Sequence, residues 1–319
     1  NVHTVHRMNF LAIAAAIRRC DILISGGGSL LQDVTSTRSL YYYLLIMRIA
    51  LFFHKPVMLY AQGIGPVRGE KARQAVRRVL QQVTVIGVRD SESKRELASL
   101  GVTAPPVHVT ADAVLSMHPV DKKIGFYLLK KAGVTGIRTR VGVAVRDWQG
   151  MRGYKEEIAK AADELQRRLD ARIIFIPMQY PADVKAGEDI AAMMETEAVV
   201  LREGYNTVEF MSLIGCMDAL VFASLMEVPV TAISYDPKID SFIQLIGEEL
   251  CGTVETVAAE DLVADVTKKL AAGGIAPDVK ARLNHLRRQS LRNAYLALRI
   301  IEGKDSLRAR LKSRNTDGR

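Results

Sequence analysis

The chain reads as an α/β protein built from parallel strand–helix units in two lobes. Three observations predict this. Short apolar runs such as Asp21–Ser25 (DILIS), Val57–Ala61 (VMLYA) and Val141–Val145 (VGVAV) are bounded by Gly, Pro or charged residues. They alternate with longer segments of helical period, the signature of βα units. A length of 319 residues, 49% apolar and 25% charged, fits about two globular domains and excludes disordered, collagen-like and coiled-coil classes.

The first lobe opens on a helical segment, Met8–Arg19, followed by the strand Asp21–Ser25 and Gly26-Gly27-Gly28, after which a helix is expected from Ser29. Val57–Ala61 is the next strand, running into Gly63-Ile64-Gly65-Pro66, and a basic amphipathic helix spans Glu70–Gln82. Val83–Val88 (VTVIGV), the helix Ser91–Leu100 and the strand Val107–Thr110 complete the lobe. The second lobe starts at Val141–Val145. Its helix Tyr154–Leu169 carries Glu156 and Glu157 in the first turns and Arg167 and Arg168 near the end, as the helix dipole favours. The strand Arg172–Pro177, helices over Asp183–Thr196 and Thr207–Cys216, the strand Val230–Ser234 and the helix Ala259–Ala271 follow, and a basic helix Val279–Ile301 ends the fold. The expected division is 1–130, 131–275 and a basic helix and tail over 276–319.

Two places break the alternation. A doubly wound sheet normally begins on a strand, and this chain begins on a helix, so a preceding strand is expected. In Leu213–Glu227 (LIGCMDALVFASLME) one helical pattern runs into the next. A parallel connection must return across the sheet, so a strand-bearing segment is expected to be lost between Asp218 and Ala219.

The net charge of +9 is concentrated at the end. Residues 280–319 hold twelve Lys and Arg against three Asp and Glu, leaving 32 of each sign elsewhere. Such a segment suits an anionic partner (membrane headgroups, nucleic acid or a phosphorylated substrate) or is a solvated helix face. Three scattered cysteines, Cys20, Cys216 and Cys251, exclude a disulfide scaffold and read as reduced thiols of a cytoplasmic protein. The chain opens at Asn1 without a charged-then-apolar leader. The most apolar stretch, Tyr41–Ala61, is interrupted by Arg48, His54, Lys55 and Pro56, so no spanning helix is expected. The six histidines show no metal spacing, and no metal or cofactor is expected.

Chemistry is expected at the carboxyl ends of the strands, where open α/β sheets bind ligands. Gly26, Gly27 and Gly28 let a ligand approach the backbone, and a helix opening at Ser29 would offer free N–H groups to an anion; a plain tight turn is the other reading. Gln32 and Asp33 lie one helical turn on. Gln62 and Arg68 follow one strand, Arg89 another, Asp112 a third and Arg146 the first strand of the second lobe. Three arginines at three strand ends point to an anionic ligand, which a guanidinium grips bidentately; a structural ion pair, such as Arg89 with Asp90, is the alternative for each. Lys238, after the late strand, is a further anion contact or a surface lysine.

In order along the chain, Gly-Gly-Gly-Ser-Leu-Leu-Gln-Asp (26–33), Gln-Gly-Ile-Gly-Pro (62–66), Val-Arg-Asp-Ser-Glu-Ser (88–93), Ala-Asp (111–112) and Ser-Tyr-Asp-Pro-Lys (234–238) resemble the polysaccharide pyruvyltransferase family. The likeness spans nearly the whole chain and is greatest to bacterial members acting on secondary cell-wall polymers. It implies two Rossmann-like lobes of GT-B-like architecture. It implies an enzyme that transfers pyruvate from phosphoenolpyruvate to N-acetylmannosamine of a lipid-linked saccharide, forming a cyclic ketal whose carboxylate serves S-layer anchoring. Phosphoenolpyruvate is then the donor substrate, with no cofactor. The partners are the lipid-linked acceptor and an anionic membrane surface met by the basic C-terminal end, not nucleic acid, and the location is peripheral at the inner face of the cell membrane. Arg68, Lys238 and Asp33 are the expected catalytic residues. Gly26, Gly27, Gly28, Ser29, Gln62, Arg89, Asp112 and Arg146 are the expected substrate contacts, with Asp33 or Asp112 orienting or deprotonating the acceptor hydroxyl. Two family elements are not in this sequence: an opening Asn-x-Gly-Asp loop, and a Gly-x-Arg-x-His element whose histidine is taken as the catalytic acid and which belongs at the Asp218/Ala219 junction. The rival enzyme is a GT-B glycosyltransferase using a nucleotide sugar, with Glu209 on the ribose. A nucleic-acid binder would need aromatic stacking residues near the basic end, where Tyr295 stands almost alone.

Overall fold

The computed structural model describes residues 2–34, 36–136, 138–221 and 227–316, and the backbone alone of 220, 221, 237, 238 and 304–316. Two compact units emerge, one of residues 1–117 with 285–319 and one of 118–284. The first boundary thus falls before the expected 130. The C-terminal helix is no separate piece either, because from His285 onward it belongs to the first unit.

The first unit holds α1 (Phe10–Arg19), β1 (Leu23–Ser25), β2 (Gly28–Leu31), α2 (Thr37–Phe52), β3 (Val57–Ile64), α3 (Glu70–Leu80), β4 (Val85–Val88), α4 (Ser91–Ser99) and β5 (Val107–Val109). All strand pairs are parallel, in the order β1-β3-β4-β5 with β2 also on β3. The helix expected from Ser29 is not there. Instead Gly26-Gly27 interrupts one line of pairing: β1 runs beside Val57–Leu59, and β2 resumes beside Gln62–Ile64. The helix waits until Ser36, whose hydroxyl accepts the Ser39 N–H and supplies the N-cap.

Strand β3 also breaks its ladder, shifting register against β4 between Leu59 and Gln62, with Ala61 at φ +51°. Such a bulge re-aims the residues that follow. The Ala61 N–H leaves the ladder and donates to Asn293 Oδ1 at 3.2 Å. Asn293 lies on α11 (Pro277–Thr316), and it also exchanges hydrogen bonds with Thr110 Oγ1 (2.9 and 3.2 Å) while Nδ2 donates to the Ser290 carbonyl. The buried stripe of α11 in the first unit is Leu286, Ser290, Asn293 and Ala297, whereas Leu291 and Leu298 are about half exposed (49% and 55%). The reason is close approach. A Cβ on Gly87 of β4 would lie 2.3 Å from Asn293 Oδ1, so the helix sits where only small or hydrogen-bonding side chains fit. Val57, Leu59, Ile86 and Val88 pack with Leu40, Leu44, Val76 and Leu80 on one sheet face, while Met58 and Val85 meet Ala297 on the other.

The second unit holds α5 (Lys123–Lys131), β6 (Arg140–Val143), α6 (Gly153–Leu169), β7 (Arg172–Phe175), α7 (Ala182–Ala191), β8 (Val199–Val200), α8 (Thr207–Gly215), β9 (Ala219–Val221), β10 (Val230–Ser234), α9 (Pro237–Ile246), β11 (Leu250–Thr253) and α10 (Ala259–Ala271). Its six parallel strands run β11-β10-β9-β6-β7-β8. The strand expected at the Asp218/Ala219 junction is supplied by the residues present. After α8 a three-residue turn leads straight into β9, which pairs with β6 and β10 and closes the sheet centre. Asp218 pins this return: its N–H donates to the Arg140 carbonyl, and its carboxylate accepts the Arg140 N–H. Residues 222–226, which follow, lie outside the described residues.

Candidate functional site

In the first unit the chemistry gathers at the carboxyl edge of the sheet. Gln62, fully buried, follows the Ala61 bulge, and its amide Nε2 donates to Ser25 Oγ (2.7 Å) and the Gly26 carbonyl (2.9 Å). It thereby braces the triglycine loop, whose three glycines are exposed, with nothing within 4 Å of a Cβ built on Gly26. Gln62 Oε1 is buried without a hydrogen-bond partner.

Arg89 lies across Gly63, where a Cβ would come within 2.9 Å of the guanidinium carbon. Its three guanidinium nitrogens are engaged by Ser29 Oγ (3.2 Å), Asp90 Oδ2 (3.3 Å) and Asp112 Oδ2 (3.4 Å). This is the ion-pair alternative for Arg89, with Asp112 as a second carboxylate beside Asp90. Two carboxylates already balance its charge, so Arg89 organises Ser29 and Asp112 rather than offering a free cation. Asp90 also caps α4 by accepting the Ser93 N–H at 2.7 Å, and buried Ser93 accepts the Ile64 N–H at 3.0 Å.

Asp33 is likewise committed. Its carboxylate accepts the N–H groups of Arg68 (2.9 and 3.0 Å) and Gly69 (2.8 Å). The Gly69 and then the Arg68 backbone donors hold the carboxyl below the usual Asp range. Two backbone donors favour the ionised carboxylate, and they make Asp33 the clamp on the Arg68 loop. Arg68 itself is exposed, and among the described residues its charge is felt by the Asp33 carboxylate that its backbone N–H caps. Asp112 is partly exposed; its Oδ1 accepts the Val114 N–H, and its carbonyl accepts from Ser290 Oγ on α11.

In the second unit Arg146, after β6, donates to Gln179 Oε1 (2.7 Å) and lies 3.7 Å from the buried carboxylate of Asp183. Its loop is anchored by the first turn of α6. The Tyr154 hydroxyl donates to the Arg146 carbonyl (2.7 Å) and accepts the Trp148 N–H (3.2 Å), and the buried Lys155 ammonium meets Asp147 (2.5 Å) and Asp189 (3.4 Å). Burial alone would lower the Lys155 value, but the Asp147 hydrogen bond and the nearby Tyr154 and Asp189 leave it raised. Trp148 and Tyr235 stack with centroids 4.7 Å apart, giving the same edge an aromatic wall. Lys238 opens α9 just beyond, but its side chain lies outside the described residues. Glu209, the ribose ligand of the rival reading, instead closes a capping box with Asn206.

Asn293, Gln179 and Asp183 carry no sequence motif that marks them for a site, and Tyr235 stands in the Ser-Tyr-Asp-Pro-Lys motif. The one local signal is Asn293, a polar residue on the stripe that carries Leu286 and Ala297. Burial pushes the Cys251 thiol up to about 11 and raises Cys216, so neither is a ready nucleophile. Among the described residues no group of three or more His, Cys, Asp or Glu could hold a metal, and no helix is long and apolar enough to cross a membrane.

A family model for polysaccharide pyruvyl transferase matches residues 4–237. No curated protein matches the chain. Among solved structures, the UDP-GlcNAc 2-epimerase of Methanocaldococcus jannaschii superposes with a TM-score of 0.63 at 12% identity, over 92% of this chain and 84% of that one. A putative UDP-N-acetylglucosamine 2-epimerase of Listeria monocytogenes gives 0.61 at 14%, over 93% and 80%. A glycosyltransferase of Rickettsia africae gives 0.55 at 14%, over 96% and 82%. At these identities the likeness shows a shared α/β, GT-B-like fold.

Proposed function

Because the chain belongs to the polysaccharide pyruvyl transferase family and is a transferase, we propose that its donor is phosphoenolpyruvate and its acceptor a saccharide of a cell-wall polymer precursor. Protonation of the enol C3 makes C2 electrophilic. One sugar hydroxyl adds there, a second displaces phosphate from the same carbon, and both hydroxyl protons leave, so a cyclic ketal and inorganic phosphate result. The donor carries a carboxylate and a phosphate, and preorganised cations are what such a reaction uses.

The observation that carries this reading is the pairing of an open triglycine loop, braced by buried Gln62, with the exposed Arg68 guanidinium on the next loop of the same sheet edge. Arg68 in the first unit, and Arg146 with Lys238 in the second, are the candidate anion contacts. Gly26, Gly27, Gly28, Ser29 and Asp112 remain candidates for the sugar. An N-acetylmannosamine unit of a lipid-linked saccharide is the acceptor this reading favours, with the enzyme peripheral at the inner face of the cell membrane. The test is product analysis. Phosphate should be released from phosphoenolpyruvate only when a saccharide acceptor is added, and UDP should not be released from UDP-sugars. The reverse pattern would establish nucleotide-sugar transfer instead.

A further inference from the structure

Residues 1–279 balance in charge as a whole, yet the helices that open the first unit do not. The sequences of α1, α2 and α3 contain eight Lys and Arg and a single acid, Glu70. Helix α2 packs against both of the others. Its inward side carries Leu40, Leu44 and Met47, all buried. Its outward side carries Arg38, Tyr41, Leu45, Arg48 and Phe52, all exposed, with Phe52 76% accessible. These five follow one another at intervals of three, four, three and four residues, so they form one stripe along the helix. The stripe alternates apolar and aromatic side chains with arginines and has no other polar member. Leu11 on α1 adds to the exposed apolar surface at 87% accessibility.

We propose that the outer face of α2, flanked by the basic faces of α1 and α3, docks on an anionic lipid leaflet. This goes beyond the basic C-terminal end, and it rests on the proposed lipid-linked acceptor only for its purpose. Phe52, Leu45 and Tyr41 would enter the headgroup–acyl boundary, while Arg38 and Arg48 extend along them to lipid phosphates, as interfacial helices do. Charge argues for this occupant over a second copy. A two-fold contact would set this strongly basic face against itself, and like charges oppose such pairing. A rival stripe, Leu291, Tyr295 and Leu298, lies on α11 with Arg288, Arg292 and Arg299 beside it. Helix α11 packs on the opposite side of the sheet from α2, so one flat leaflet can seat only one of the two faces.

The experiment uses the full chain with vesicles of phosphatidylcholine alone, or with about one third phosphatidylglycerol. The protein should sediment with the anionic vesicles and be released at roughly 0.5 M salt, where screening is strong. Leu45→Glu with Phe52→Glu should lower the bound fraction at least ~10-fold, because each change puts an anion at the contact. Leu291→Glu with Leu298→Glu should leave binding at the parental level. As a check that does not burden folding, Phe52→Trp should shift its emission to the blue on anionic vesicles and not on neutral ones. Parental binding by the Leu45/Phe52 variant, or unchanged Phe52→Trp emission in sedimented protein, overturns the proposal. So does loss of binding in the α11 variant alone, or loss of a dimer rather than of vesicle binding in the Leu45/Phe52 variant. Phosphate release with a water-soluble acceptor should be parental in the Leu45/Phe52 variant. Absence of that release in the parent would sink the pyruvyl-transfer reading and leave the vesicle result standing.

Discussion

Asn293→Ala tests whether the C-terminal helix builds the triglycine site from behind. The wild-type amide satisfies the Ala61 N–H, which the bulge in β3 has removed from the ladder, and it exchanges bonds with Thr110 Oγ1. Thr110 keeps its own bond to the Val88 carbonyl at 3.0 Å, so the truncation orphans chiefly the Ala61 N–H. An orphaned buried donor costs about 1–3 kcal/mol, and the small cavity left behind adds to it. The expected loss is therefore ~2–4 kcal/mol, read by chemical denaturation followed by circular dichroism. A second change separates this account from generic core damage. Ala61 holds a left-handed backbone (φ +51°) that glycine adopts freely, so Ala61→Gly in the Asn293→Ala background should return about 1 kcal/mol. Turnover should fall as well, because Gln62 follows the bulge and braces Gly26. An Asn293→Ala protein within about 0.5 kcal/mol of the parent, a loss no larger than an ordinary surface change gives, would refute the idea that α11 holds the bulge.

Arg68→Ala and Lys238→Ala are each expected to lower pyruvyl transfer at least ~100-fold without unfolding, as loss of one preorganised cation can; parental turnover in a folded variant removes that residue from the site. Phosphoenolpyruvate should raise the melting temperature, and activity should survive EDTA, whereas loss in EDTA restored by Mg²⁺ would sink a mechanism that relies on arginine and lysine charge. Asp163 gives a pH test. Burial would raise its carboxyl, but hydrogen bonds from the Glu195 N–H and from the Thr196 N–H and hydroxyl hold it below the usual Asp range. Its contribution is thus present above the ordinary value near 4 and is lost as pH falls through the depressed one. Asp163→Asn should therefore be less stable than the parent at pH 7, with the gap narrowing in thermal melts as pH falls below the ordinary Asp range; a constant gap would refute this.

Much of the fold could be read before any coordinates. Runs such as VMLYA and VGVAV became β3 and β6 because burial on both faces leaves a continuous apolar signature, and DILIS became the half-exposed β1. The helix Tyr154–Leu169 was legible to within a residue of α6 because its period and end charges are local. Elements with weak local signals were missed. Strand β2 begins in glycines, which read as a helix start; β9 is three residues long and hidden between two helical patterns; β8, β11, α5 and α9 carry no clear period.

The candidate residues divide along the same line. Residue type and strand end were enough to place Gly26–Gly28, Gln62, Arg68, Arg89, Asp112 and Arg146 at sheet edges, because a parallel sheet delivers every strand's carboxyl end to one side. Their roles depended on partners far away in sequence. Asp33 meets Arg68 and Gly69, 35 and 36 residues on, and Arg89 is shared between Ser29 and Asp112. Asn293 reaches Ala61 across 232 positions. Period and composition report what a segment does with its own neighbours, so they determined the parallel α/β lobes and the edge where chemistry collects. Whether a charge at that edge is free or already paired is decided by which distant group arrives within 3 Å, and only the tertiary packing of α11, the β3 bulge and the Asp33 clamp settles that.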